Sequence, residues 1–201
     1  NLAKDIIGPP KMTIKNGNNK YEISKDSAKG EFKQKVKDTE ITANAELAKK
    51  DGRTDLSVRV GQMTNGKDGK INGQEYGASL SYIDDGKKKG VGASVDSKIT
   101  TGTGYKDGKK EITNTHTTED KLSGEVTKDK KGNIEGKGSY EHSDTDTRKV
   151  AIGKASASQS TKTYHNTDVS VKVNTQKGKE SLTVGGSHTN GIQYSAGAQF
   201  G

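Results

Sequence analysis

Short runs of alternating apolar and polar residues recur along the chain from about Lys11 to Phe200. Each run is interrupted by a turn-forming Gly, Asn or Asp. Successive side chains of a β-strand point to opposite faces, so such alternation is typical of strands with one apolar face. About fourteen of these runs are present. The sequence therefore predicts an all-β protein.

The middle of the chain shows the alternation most clearly. Residues 76–82 place Tyr, Ala, Leu and Tyr at alternate positions with Gly and Ser between them, and residues 91–99 resume the pattern after an Asp-Asp-Gly turn. Asn16-Gly17 and Asp51-Gly52 mark further hairpin turns. Only residues 43–50 offer a helical alternative, because Ala, Glu, Leu and Lys favour helix. The flanking alternation favours a strand there too.

Strands with one apolar face and one solvent-exposed polar face are typical of antiparallel sheets. We therefore expect an up-and-down meander of about 12 to 15 strands. Closure would remove unpaired edges. A round barrel of so many strands would leave a wide lumen, so a closed flattened barrel or a two-layer sandwich is expected. Residues 1–10, which end in Pro9-Pro10, are interpreted as an N-terminal lead-in. Residues 11–201 are interpreted as a single domain of hairpin repeats.

The apolar face of this meander is thin. Leu, Ile, Val and Phe account for 31 of the 201 residues, whereas glycine alone accounts for 26. Burial of small side chains yields less free energy per residue, because the hydrophobic contribution scales with buried apolar area. We therefore expect the backbone ladder, or an assembly that covers the apolar face, to supply much of the stability.

Four histidines form a loose repeat in the second half of the chain. Their consecutive separations are 26, 23 and 23 residues, and polar residues follow each one. If about 23 residues make one hairpin, the histidines lie beside turns at one end of the sheet, on alternate strands roughly 10 Å apart. Histidine titrates near pH 6.5, so this is a candidate pH-sensitive row. The row consists of His116, His142, His165 and His188.

The predicted histidine spacing is too wide for zinc, whose ligand atoms lie about 2 Å from the metal. No metal site is therefore predicted. The chain also lacks cysteine, which removes thiol catalysis and thiolate ligands. The sequence contains no Gly-x-Ser-x-Gly elbow, and its Gly-x-Gly segments do not lead into a predicted helix. We expect a protein that is not an enzyme and binds no cofactor.

The chain is basic, with 34 Lys and Arg against 26 Asp and Glu and a formal net charge of +8. Aromatic residues are too sparse for base stacking, so no specific nucleic acid is expected as a partner. No apolar run approaches the roughly 20 residues of a membrane helix, so the chain is not expected to span a membrane. Lysines concentrate at two turns and are candidate contacts to an anionic surface. They are Lys87, Lys88, Lys89, Lys128, Lys130 and Lys131.

Two glycine-rich segments, residues 91–94 and 194–198, resemble the hairpins of attacin-type antibacterial proteins. The resemblance is compositional and covers less than half the chain, and attacins are richer in Phe and Asn. It implies, as one alternative, a defence protein that meets anionic surfaces through its lysine-rich turns. The primary expectation is a secreted, non-enzymatic structural or surface-interaction protein that self-associates. A small-molecule carrier that uses a barrel interior is a further alternative.

Overall fold

A computed structural model describes residues 11–201, which form one antiparallel sheet of 11 strands in chain order. The predicted lead-in, residues 1–10, lies outside the described residues. The strands are β1 Met12–Asn16, β2 Asn19–Ile23, β3 Ser27–Val36, β4 Thr39–Lys50, β5 Arg53–Asn65, β6 Lys70–Asp84, β7 Lys88–Asp107, β8 Lys110–Asp129, β9 Ile134–Ile152, β10 Ala155–Asn174 and β11 Ser181–Gln199. No helix in this part of the chain is long and apolar enough to cross a membrane.

The predicted all-β meander is confirmed, and so are its turns at Gly17 and at Asp51-Gly52. Asn16 is the last residue of β1 and Gly17 begins the turn to β2, whereas Asp51-Gly52 lies between β4 and β5. Both residues of the second turn have positive φ, +51° at Asp51 and +75° at Gly52. Tight hairpin turns of the primed type require that conformation, which Asp tolerates and glycine adopts freely. Residues 43–50 belong to β4, so the strand interpretation of that segment is correct.

The strand number is lower than the predicted 12 to 15 because the last five strands are long. Each of β7 to β11 contains 19 or 20 residues. Polar stretches that were expected to be turns lie inside these strands. The sheet is also not closed into a barrel, since β1 and β11 are its two opposite edges. Strands make extensive contacts only with their neighbours in the chain.

Directly opposed residues of antiparallel strands share a face, so the register identifies the two surfaces of the sheet. One row joins Val58, Ala78, Val95, Leu122 and Tyr140 across β5 to β9. We call the surface that carries this row the apolar face. Serines at the intervening positions of the same strands lie on the other surface, the polar face. They include Ser57, Ser79, Ser94, Ser123 and Ser139.

The apolar face is the more exposed of the two. Leu80 is 62% exposed, whereas its chain neighbour Ser79 is only half-buried. Among the described residues, Ile83 is the sole buried large hydrophobic side chain, and it lies on the polar face. Two large depressions of the surface are lined mainly by polar-face residues, whereas a third of similar size, around His116, Asp146 and Tyr194, lies on the apolar face. The polar face is therefore the more enclosed of the two over most of the sheet, and the apolar side chains are exposed to solvent.

Ion pairs connect neighbouring strands across the polar face. Arg59 lies 2.6 Å from Asp96 and 3.4 Å from Glu75, which bridges three strands. Lys98 and Glu119 form a further pair at 3.6 Å across β7 and β8. These side chains are partly exposed, so each pair contributes modestly to stability. Their charges keep the polar face hydrophilic.

Two glycines of β7 allow an unusually close approach of β8 on the polar face. A Cβ at Gly102 would collide with the carbonyl oxygen of Asn114 and lie 3.0 Å from the Cα of Thr115. At Gly90 it would collide with the carbonyl oxygen of Val126. Both glycines have ordinary negative φ, so the requirement is for space, not for a left-handed backbone.

Candidate functional site: the histidine–aspartate array

The four histidines lie on the apolar face, within four consecutive strands. His116 is in β8, His142 in β9, His165 in β10 and His188 in β11. The predicted placement beside turns, on alternate strands and about 10 Å apart, is therefore wrong. A repeat of 23 to 26 residues equals one strand of 19 or 20 residues plus a turn, and a hairpin here is about twice as long. Adjacent strands bring the histidines together.

Two of the histidines alternate with three aspartates in a continuous chain of contacts. His116 Nδ1 lies 2.8 Å from Asp146 Oδ1, and its Nε2 lies 3.2 Å from Asp144 Oδ1. His142 Nε2 lies 2.9 Å from the other oxygen of Asp144, and its Nδ1 lies 2.6 Å from Asp120. We call these five residues the histidine–aspartate array. Both nitrogens of each ring face a carboxylate, an arrangement that favours the doubly protonated imidazolium.

The remaining histidines extend the array toward the edge of the sheet as a stack. The ring centroids of His142 and His165 are 6.3 Å apart, and those of His165 and His188 are 6.4 Å apart. His165 Nδ1 contacts Asn190 Oδ1 at 2.5 Å, and His188 Nδ1 contacts the Thr167 hydroxyl at 2.8 Å. The partners of the outer two rings are thus neutral, whereas those of the inner two are charged.

The carboxylates raise the pKa of both inner histidines above the usual 6.5. For His116 the hydrogen bond with Asp146 is the main cause, assisted by the charges of Asp146 and Asp144. For His142 the hydrogen bond with Asp120 is the largest contribution and that with Asp144 is second. Removal from water opposes both shifts but does not outweigh them, because the rings remain 28% to 46% exposed.

Neutral donors and the histidines together lower the pKa of two of the aspartates. Tyr140 donates its hydroxyl to Asp120 at 2.7 Å, which is the main reason that the pKa of Asp120 falls below 3.8. Thr118 donates to Asp144 at 2.8 Å and has the corresponding effect there. In both cases the hydrogen bond with His142 is the second cause. The array is therefore an ion-paired network at mildly acidic pH.

Apolar residues flank the array on both sides along the strands. Toward one end of the sheet, Val95 and Leu122 stand opposite each other. Toward the other end, a second apolar row crosses β7 to β11. It contains Tyr105, Ile112, Val150, Ala157 and Ala198. The charged array is thus an island within the apolar face.

Sequence reasoning identified the histidines but missed their acidic partners. Asp144 and Asp146 follow His142 by two and four residues, and Asp120 follows His116 by four. Even spacing within one strand places residues on the same face, so this spacing was the available signal. It was obscured because the segments were interpreted as turns. Within residues 11–201 no three His, Cys, Asp or Glu side chains are arranged to hold a metal ion.

The six candidate lysines come together at one end of the sheet. Lys89 and Lys128 are directly opposed in β7 and β8, and Lys88 is opposed to Asp129. The others occupy the neighbouring turns, and all six are exposed. Three carboxylates lie among these lysines and offset part of their positive charge. They are Asp84, Asp85 and Asp129. Backbone amides of Lys87 and Lys88 donate to Asp85, which lowers the pKa of that carboxyl.

The histidine–aspartate array should make the free energy of unfolding depend on pH. The contacts that raise the histidine pKa values stabilise the fold while the rings are protonated. This contribution is lost as pH rises through those pKa values. The contacts that lower the pKa of Asp120 and Asp144 stabilise the fold above about pH 3.8, where the carboxylates are charged. This contribution is lost as pH falls further. The array should therefore contribute most between about pH 4 and about pH 6.5.

We expect urea unfolding to show a free energy up to about 1 kcal/mol lower at about pH 8.5 than at about pH 5.5, because these pairs are exposed. Asp144→Asn should reduce that difference. Asp168→Asn, on the polar face of β10, is the control and should keep the wild-type difference. An unchanged pH dependence in Asp144→Asn would show that the array does not stabilise the fold.

Neither a protein-family model, nor a curated protein, nor a solved structure matches this chain.

Proposed function

We propose that this protein is a non-enzymatic, extracellular structural or interaction protein whose apolar face is covered by a second copy of the chain. The observation that carries the proposal is the outward exposure of that face. Val95, Leu122 and Val126 are 52% to 56% exposed, although each lies in the interior of a long strand. Exposed apolar patches of this extent mark interaction surfaces in stable proteins.

The total surface area supports an assembly. The chain exposes 14367 Å², whereas a folded monomer of 21.4 kDa is expected to expose roughly 9100 Å². The excess is roughly 5000 Å² for each chain, so two copies together have an excess at or above the upper end of the total area that obligate homodimers bury. A one-layer sheet that stayed alone would gain little hydrophobic free energy, because that free energy follows the apolar area removed from water.

The charge pattern of the apolar face favours a second copy. Three adjacent strands present no charged side chain on this face over residues 56–64, 72–82 and 91–105. Two such surfaces can pack together without burying unpaired charges, which would cost several kcal/mol each. The product is a two-layer sandwich with sheets about 10 Å apart. The abundance of Thr, Ser, Gly, Asn and Lys supports the extracellular location.

Sedimentation across a broad concentration range tests the proposal. We expect the wild-type protein to have a mass of at least two chains, with dissociation upon dilution. Increasing salt should not dissociate it, because the contact is apolar. A chain that remains monomeric at every concentration, while circular dichroism shows folded β-structure, would refute the proposal.

A further inference from the structure

The two edges of the sheet differ sharply. β1 has only five residues and contains Lys15, and Lys11 next to it forms an ion pair with Glu22 at 3.1 Å. Short, charged edge strands resist pairing with other chains. β11 has 19 residues, pairs with β10 on one side, and has no strand on its other side among the described residues. One edge is thus protected and the other is open.

β11 also lacks the usual protection of an open edge. Residues 181–199 contain no Lys, Arg, Asp or Glu, in a chain where these four types make up 30% of the residues. Its apolar side chains are highly exposed, with Leu182 at 67%, Val184 at 70% and Tyr194 at 75%. A long, uncharged and partly apolar edge strand is a template for strand addition.

We infer that β11 pairs with β11 of a second copy, in antiparallel orientation, and joins two sheets into one. The charge distribution argues for a second copy as the occupant. Two chains of formal net charge +8 repel each other, and β11 lets them approach without placing like charges opposite. The inference rests on the proposed assembly function and identifies a second contact within it.

The side chains of β11 are complementary to themselves in the register of full overlap. A twofold axis perpendicular to the sheet at Asn190, the midpoint of 181–199, keeps each residue on its own face. It places Tyr194 opposite Gly186 and Val184 opposite Ala196 of the other copy. In both pairs a large side chain faces a small one, and an aromatic ring covers a glycine, which are favourable cross-strand combinations. Next to the axis, His188 faces Ile192.

In this register Asn190 faces Asn190 of the second copy, so a charge placed at this position tests the pairing of the two edges. We expect Asn190→Lys and Asn190→Asp each to weaken self-association at least tenfold, since like charges then face each other. An equimolar mixture of the two variants should regain wild-type association within about threefold, because the charges are then opposite. The measurement is sedimentation of the full chain.

Asn72 provides the matched control. It is an exposed asparagine on the apolar face of β6, an interior strand. Asn72→Lys and Asn72→Asp should also weaken association, because each brings a charge onto the covered face, but mixing them should restore nothing, whereas mixing the Asn190 variants should.

The outcomes distinguish the edge from the face. If both Asn190 variants associate as well as the wild type, the edge inference is wrong while association through the apolar face stands. If the Asn190 variants dissociate but mixing fails to rescue them, the twofold register is wrong. A wild-type protein that is monomeric would refute both the edge contact and the proposed function.

Discussion

Leu122→Lys is expected to weaken self-association at least 100-fold. Leu122 is 56% exposed in the single chain and lies between Val95 and Tyr140 on the apolar face. Covering a leucine stabilises an interface by about 1.5 to 3 kcal/mol, and covering an unpaired lysine costs more. A twofold interface contains the substitution twice. A loss of about 2.7 kcal/mol already corresponds to a 100-fold change in Kd.

Ser123→Lys is the matched control, because Ser123 is the next residue of β8 and lies on the polar face opposite Ser94 and Ser139. It adds the same charge to the same strand, yet it should leave association within about threefold of wild type. Sedimentation measures both variants, and urea unfolding at low concentration checks that each is folded. Equal effects of Leu122→Lys and Ser123→Lys would show that the apolar face is not the contact.

Gly102→Ala should destabilise the fold by about 2 to 3 kcal/mol, which is a typical cost of overpacking. The new methyl group would meet the carbonyl oxygen of Asn114 and lie 3.0 Å from both the Cα and the Cγ2 of Thr115. The obstacle is backbone, so no side-chain rotation relieves it. β7 and β8 must separate locally, at the expense of ladder hydrogen bonds. Urea unfolding by circular dichroism measures the loss.

Gly136→Ala provides the opposite expectation in the same type of element. Gly136 lies in β9 on the apolar face between Val126 and Val171, and a Cβ there would meet nothing within 4 Å. We expect a gain of about 0.5 kcal/mol, because alanine restricts the unfolded chain and fits the strand. If Gly102→Ala were as stable as Gly136→Ala, the close approach of β8 to β7 would not exist in solution.

The period-two pattern was enough to predict the strands and their shared faces, because side-chain alternation is a local property. Ile41, Ala43, Ala45 and Leu47 share a face of β4 as the alternation indicates, and Leu56 to Val60 continue that face in β5. The Gly-containing turns were equally predictable, since positive φ at a residue such as Gly52 has few alternatives.

The length of the later strands was not predictable from the same signals. Segments such as His116 to Asp120 resemble turns by composition, but threonines at two of these positions fit a strand, and both neighbouring strands pair with the segment. Misplaced turns split long strands and shifted the histidines to the wrong strands. The array was missed for the same reason, since its Asp144 contacts depend on β8 and β9 being adjacent along their whole length.

Which face of the sheet is the more exposed could also not be predicted from the sequence. Alternation states that Leu80 and Ser79 face opposite ways, but it does not state which face is the more enclosed. The thin apolar face was expected to be covered, either within the fold or by an assembly, and in the single chain the structure places it outside, with Leu80 at 62% exposure. Close approaches of backbones, as at Gly90 and Gly102, depend on the path of the neighbouring strand.

Because each strand pairs only with its chain neighbours, the sheet resembles a one-dimensional array of hairpins. Its stability is then close to a sum of nearest-neighbour terms, and folding can start at any hairpin without closing a long loop. The short strands β1 and β2 contribute the smallest terms and should open first, whereas β7 to β11 hold together longest. A chain of this kind can gain or lose a hairpin during evolution without rearranging the strands that remain.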